Sequence, residues 1–208
     1  MPGLLYKSSY KSKYRLKCKS SKKIARQLLT CWFFIAMVGN PVSLQAEKIL
    51  AKEYFVKAAF LYNFARLVEW PAKTFSSDSD PIRLCFIGNN PFGEAIKTLE
   101  NKTVKNRTLQ IYRDIELDSA SQCQILFISE SEKNRMAIIP EQLNQYPVLT
   151  VSELPGFAQN QGHIRLYLDT DKTLSLEVNL DAIIRANLKI SSRILTLATI
   201  VNSEEVIE

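Results

Sequence analysis

The sequence predicts a single compact α/β domain, with a mixed β-sheet of about five to six strands flanked by helices and a C-terminal β-hairpin followed by helix. Three observations predict it. Helix-period and strand-like segments alternate along the chain beyond residue 46. The run Gln124–Ile128 is almost unbroken in its apolar character and reads as a strand buried on both faces, as parallel pairing requires. The segments Ile164–Leu168 and Thr173–Val178 alternate apolar and polar residues across a tight Asp169-Thr170-Asp171-Lys172 turn, which reads as a hairpin.

Each element has its own justification. Ile49, Tyr54, Ala58, Leu61, Phe64, Ala65 and Val68 recur at helical spacing, so residues 47–69 are expected to be helix, stopped by Pro71. The polar stretch Ser76–Asp80 reads as a loop. Ile82–Ile87 is a short apolar strand ending in Gly88-Asn89-Asn90-Pro91, and Pro91–Leu99 reads as a helix with Pro at its tolerant first position. Thr108–Tyr112 and Gln124–Ile128 follow as strands, Glu130–Asn144 as a polar-faced helix and Pro147–Val151 as a further strand. After the hairpin, helix is expected from Asp181 to about Ile200. Asn187 interrupts it, and Ser191 or Ser192 caps the restart.

The charge is unevenly placed. The chain has 27 Lys+Arg against 21 Asp+Glu, a formal +6 that alone would suggest a nucleic-acid partner. Nine of those basic residues precede residue 27, and no acid occurs before Glu47. The apolar run Leu28–Val38 follows, then the breaker Asn40-Pro41, then the small residue Ala46. Basic, apolar, breaker and small residue in that order is the architecture of a secretory signal. The run is short for a bilayer span, which takes about 20 residues. Residues 1–46 are therefore expected to be an export signal and 47–208 the working domain, placed outside the cytoplasm. Without the nine, 18 basic residues face 21 acids, a net near −3, and the nucleic-acid reading falls.

Cys18 and Cys31 belong to the signal, which leaves Cys85 and Cys123. Parity and an oxidising compartment favour a disulfide between them, closing a loop of about 38 residues worth roughly 3–4 kcal/mol on the loop-entropy model. Two reduced, buried cysteines packing as small hydrophobes are the alternative. No metal site is expected, since His163 is the only histidine and no Cys-x-x-Cys pair occurs. Nor is a cofactor expected.

Motifs of catalysis are absent: no P-loop, no complete dinucleotide glycine fingerprint, no His-Glu-x-x-His and no Gly-x-Ser-x-Gly. His163 follows Gly162 at the start of a hairpin strand, where an edge or turn position explains it better than catalysis. No catalytic residue is assigned, and an unrecognised hydrolase is disfavoured by so thin an acid–base inventory. The turn Gly88-Asn89-Asn90-Pro91-Phe92-Gly93 lies between strand and helix, where backbone N–H groups can hold an anion. Gly88, Asn89, Asn90 and Gly93 are thus candidate ligand-binding residues, with an ordinary structural turn as the alternative. Tyr54, Phe55, Phe60, Tyr62, Phe64 and Trp70 give the opening helix more aromatic surface than one buried face absorbs. A partner-binding face around Tyr62, Asn63 and Trp70 follows from that surplus.

Several blocks together are similar to a known family. Tyr54–Ala65 leads into Val68-Glu69-Trp70-Pro71, and Leu84-Cys85-Phe86-Ile87-Gly88-Asn89-Asn90-Pro91-Phe92-Gly93 follows. Then come Cys123–Ser129, Val148–Ser152, Glu177–Ala182, Leu188–Leu195 and Leu197-Ala198. In this order, from about Tyr54 to Val201, the blocks resemble the YfiR family of periplasmic proteins. The resemblance implies a non-enzymatic regulator. The family's founding member represses a membrane-bound diguanylate cyclase by binding its periplasmic sensor domain, and an outer-membrane lipoprotein relieves the repression. The output is cyclic di-GMP signalling, hence biofilm formation and motility. The resemblance also implies that Cys85 and Cys123 belong to the family's cysteine pattern. Two departures stand out. A paired glycine common before the hairpin strand is replaced by Gln161-Gly162-His163, and a further cysteine pair of the best-known member has no counterpart. The competing reading is a small-ligand sensor, an accessory to another membrane receptor or a histidine kinase. A homodimer is the default oligomer for such a domain.

Overall fold

The computed structural model describes residues 41–202 of the chain, so the expected signal at 1–46 lies outside the described residues except for its last six. Two units divide the chain, Met1–Gln45 and Ala46–Glu208. All that follows concerns the second, apart from the start of its opening helix. Among the described residues, no helix is long and apolar enough to cross a membrane.

Helix α1 spans Pro41–Leu67. The chain then forms β1 (Val68–Glu69), β2 (Ile82–Ile87), α2 (Glu94–Lys97), β3 (Thr103–Val104), β4 (Arg107–Tyr112) and β5 (Ile125–Ile128). It continues through α3 (Ile138–Leu143), β6 (Leu149–Ser152), β7 (Ile164–Leu168), β8 (Leu174–Asn179), α4 (Leu180–Arg185), β9 (Lys189–Ile190), α5 (Ser192–Leu195) and β10 (Ala198–Val201). Eight strands form one mixed sheet in the order β10-β8-β7-β6-β5-β2-β4-β3, and β1 pairs with β9 in a separate two-stranded ribbon. The five strands β4, β2, β5, β6 and β7 run parallel; hairpins at either side contribute β3 and β8 antiparallel.

The period of two along each central strand builds two cores. Ile82, Leu84 and Phe86 of β2, with Ile125 and Phe127 of β5, join a large cluster under α1, α2, α4 and α5. Cys85 and Ile87, with Leu126 and Ile128, face the other way into a smaller cluster closed by α3, Ala120, Leu154 and Phe157. Helices on both faces of a largely parallel sheet make this the α/β class that the alternation predicted.

The elements the sequence misjudged have local causes. The sheet has two strands beyond the expected six: β3 is a two-residue hairpin partner of β4, and β10 pairs parallel with β8. The expected helix from Asp181 to about Ile200 is instead α4, β9, α5 and β10, because Asn187 adopts a left-handed φ of 56° and turns the chain back. The Ser191 hydroxyl then accepts the Arg193 N–H as the cap of α5. The opening helix ends at Leu67 rather than residue 69, since Leu67 C=O accepts from Ser191 and Val68–Glu69 pair with β9. Glu130–Asn144 divides into a 3-10 segment, Glu130–Arg135, and α3. Pro140 lacks an N–H and is tolerated only in a first turn, so α3 starts afresh just before it. The helix expected over Pro91–Leu99 shrinks to α2, because Gly93 sits at φ 49°.

Candidate functional site

The order β4-β2-β5-β6-β7 contains a switch point. From β2 the chain leads outward to β4, whereas from β5 it leads to β6 on the opposite side. Connections diverging in this way leave a crevice beyond the carboxyl ends of β2 and β5, the general ligand position of open α/β sheets. A cavity of about 390 Å³ lies there. Asn89, Asn90 and Pro91 line it from the end of β2, Ser129, Glu130 and Ser131 from the end of β5, Glu153 from the end of β6, and Tyr54 from α1.

The rim is fixed from below. Gly88 has φ +77°, and a Cβ there would stand 2.3 Å from Ser131 Oγ, so only glycine fits. The close approach lets the Asn89 N–H donate to Ser131 Oγ at 3.0 Å. Ser129, which is buried, adds a 2.9 Å hydroxyl contact to Ser131. Asn90 Oδ1 accepts the Phe92 N–H, and this turn drops the Phe92 ring into the core. There it meets Tyr54, Phe86 and Phe127 at centroid distances of 5.1, 5.4 and 4.9 Å, all near edge-to-face.

The electrostatics of the crevice are acidic. Lys57 is buried and bridges Glu53, one helical turn earlier, and Glu153. The Tyr54 hydroxyl donates to the other Glu153 oxygen at 3.3 Å. Burial, then the carboxylates of Glu153, Glu53 and Glu130, hold the Tyr54 phenol protonated far above its ordinary range. One ammonium thus serves two carboxylates, while Glu130 adds a third charge at the exposed rim. Among the described residues, no group of three His, Cys, Asp or Glu side chains is placed to hold a metal.

Of the candidate ligand residues, Asn89 and Asn90 line the crevice, Gly88 shapes it from beneath, and Gly93 faces a neighbouring hollow beside Phe55 and Pro91. Sequence reasoning missed Tyr54, Ser129, Glu130, Ser131 and Glu153. The usable signal was the Ser-Glu-Ser run directly after a buried strand, but its meaning depends on β5 lying next to β2. The partner candidates Tyr62, Asn63 and Trp70 are half-buried. Tyr62 donates to Thr103 C=O at 3.3 Å, and Trp70 Nε1 donates to Gln124 C=O at 3.0 Å. More apolar surface on α1 is open at Phe55 and Val56, which are 47% and 42% exposed.

His163 is neither at an edge nor in a solvated turn. It is buried, with Nδ1 accepting the Thr150 N–H at 3.0 Å and Nε2 donating to Ala182 C=O at 3.1 Å. Burial holds its pKa down at about 4, against the pull of the Ala182 carbonyl and with help from Arg185. It bolts β6 to α4.

Cys85 and Cys123 form a disulfide, with Cα atoms 6.1 Å apart. Cys85 is on β2 and Cys123 directly precedes β5, so the bond ties together the two strands that flank the crevice.

No curated protein matches the chain. A family profile described as YfiR/HmsC-like does, over residues 54–199, from the aromatic half of α1 into β10. That stretch includes the five parallel strands β4, β2, β5, β6 and β7, both walls of the crevice and both disulfide cysteines, and the chain belongs to the YfiR/HmsC-like family of periplasmic regulators.

Proposed function

We propose that the protein is a non-enzymatic periplasmic regulator that binds the periplasmic sensor domain of a membrane-bound diguanylate cyclase and represses it, lowering cyclic di-GMP. The observation that carries this reading is the match of the YfiR/HmsC-like family over residues 54–199, most of the α/β domain. An apolar outer face on α1 supports it, since such patches suit a protein partner. Phe55 and Val56 are the anchors of that face, Tyr62 and Asn63 continue it further along, and Trp70 lies just past it, after β1. An outer-membrane lipoprotein would compete for the repressor and so relieve repression. The mechanism is linkage: a protein that prefers the inactive state of a receptor shifts its population by the difference in affinity.

Deleting the gene should raise cellular cyclic di-GMP, and the tagged protein should capture a cyclase from solubilised membranes. An unchanged nucleotide level together with no captured cyclase would sink the reading.

The crevice favours a second reading, compatible with the first. A small molecule seated against α1 would alter the helix that carries the docking face, and so tune repression.

A further inference from the structure

We infer that the crevice between β2 and β5 is a binding site for a small organic cation, an amine that carries hydroxyl or amide hydrogen-bonding groups. The inference rests on the crevice being a ligand site and not on which membrane protein is the partner.

Size and position come first. A volume of about 390 Å³ suits a compact metabolite, and the site lies where the sheet's connections diverge. Its walls are braced, because the Asn89 N–H and the close approach of Gly88 to Ser131 tie the end of β2 to the end of β5, and Phe92 anchors the β2 turn in the core. The site therefore exists before a ligand arrives, which lowers the ordering cost of binding.

Charge selects the class. Glu130 and Glu153 both line the cavity, and the nearest ammonium, Lys57, is already shared between Glu53 and Glu153. No ion pair among the described residues engages Glu130. The neighbourhood therefore carries a net charge of about −2, which repels an anion and attracts a cation. Two of the N–H groups of this turn that would suggest an anion site are answered internally: Asn89 N–H by Ser131 and Phe92 N–H by Asn90. Among the described residues, a bare metal ion lacks a ligand set of three His, Cys, Asp or Glu side chains.

The other lining groups suit the rest of an amine ligand. The Asn90 amide nitrogen remains available as a donor once its oxygen has taken the Phe92 N–H. Asn89 is exposed on the rim and offers both a donor and an acceptor. The Tyr54 ring, with its hydroxyl fixed on Glu153 and Lys57 Nζ 4.9 Å from its centroid, forms an aromatic wall beside the carboxylates against which the apolar part of an amine can pack.

The test is a titration of the isotope-labelled purified protein with ethanolamine, putrescine and choline, followed by amide NMR. Citrate, inorganic phosphate and glycerol are titrated in parallel. The amines should move the amides of Gly88–Asn90 and Ser129–Ser131 along saturable curves, with affinity falling as salt rises. Glu130→Gln, at an exposed position, should weaken amine binding about five-fold, as expected for one unscreened charge at contact distance. Asp118→Asn, an exposed acid outside the crevice, should change nothing. Citrate or phosphate binding at the same amides would overturn the charge assignment while leaving a ligand site. No saturable shift from any probe would overturn the site itself.

Discussion

At the scale of single residues, three positions bear on how the half-sheet from β6 to β8 is held. His163 is neutral in the fold with a pKa of about 4, whereas in an unfolded chain it takes a proton near 6.5. Between those values only the unfolded state binds the proton. Stability is therefore unaffected above about pH 6.5 and falls as the pH drops toward 4, by roughly 3 kcal/mol in all. His163→Gln should be less stable than wild type at pH 7.5, and the gap should shrink steadily toward pH 4.5 in denaturant titrations. A gap that stays constant would mean the imidazole is not the titrating group. Two residues earlier, Gln161 sits at φ 67°. A side chain in that left-handed region costs about 1 kcal/mol, so Gln161→Gly should raise the melting temperature by a few degrees. Part of that gain is offset, because Gln161 Oε1 accepts from Arg185. Gly162 cannot be exchanged in the same way. A Cβ there would stand within 2.4 Å of the Phe157 ring, so a melting profile of Gly162→Ala should show a clear loss.

At the scale of elements, the disulfide and α1 carry the testable load. The bond closes a separation of 38 residues that includes α2, β3, β4 and the Leu117–Gln122 turn. The loop-entropy model gives about 3–4 kcal/mol for it, so a Cys85→Ala/Cys123→Ala variant should melt several degrees lower and repress more weakly. A variant that melts and binds like wild type would refute both expectations. On α1, Phe55→Glu should leave stability within about 0.5 kcal/mol, because the ring is half in solvent already, yet abolish capture of the partner. Most central elements were legible because burial on one or two faces imprints a period on the sequence. Gln124–Ile128 and the Ile164–Val178 hairpin are examples. The edges were not. Two-residue strands such as β1, β3 and β9 have no period to detect and exist only because a partner strand arrives there. The site was half legible for the same reason: Asn89 and Asn90 announce a turn, but Glu130 and Glu153 become neighbours only through the strand order.

At the scale of the whole molecule, the proposed repression sets a quantitative demand. Taking a cyclase from 99:1 active to 1:99 requires the repressor to prefer the inactive state by about 10⁴-fold. A cyclase variant locked in its active form should therefore bind the purified protein orders of magnitude more weakly than the wild-type sensor domain. Equal affinity for the two would remove linkage as the mechanism. The same reciprocity applies to the crevice. An amine that changes affinity for the cyclase must have its own affinity changed by the same factor when the cyclase is present.

The bond between β2 and the entry to β5 also bears on the fate of copies that never reach an oxidising compartment. A domain of this size holds only about 5–15 kcal/mol in reserve. Losing 3–4 of those raises the unfolded fraction by roughly 10²–10³-fold, and proteases draw on that fraction. Oxidation thus works as a licence to persist: a copy retained among reductants is short-lived, and the protein accumulates only where the disulfide can form.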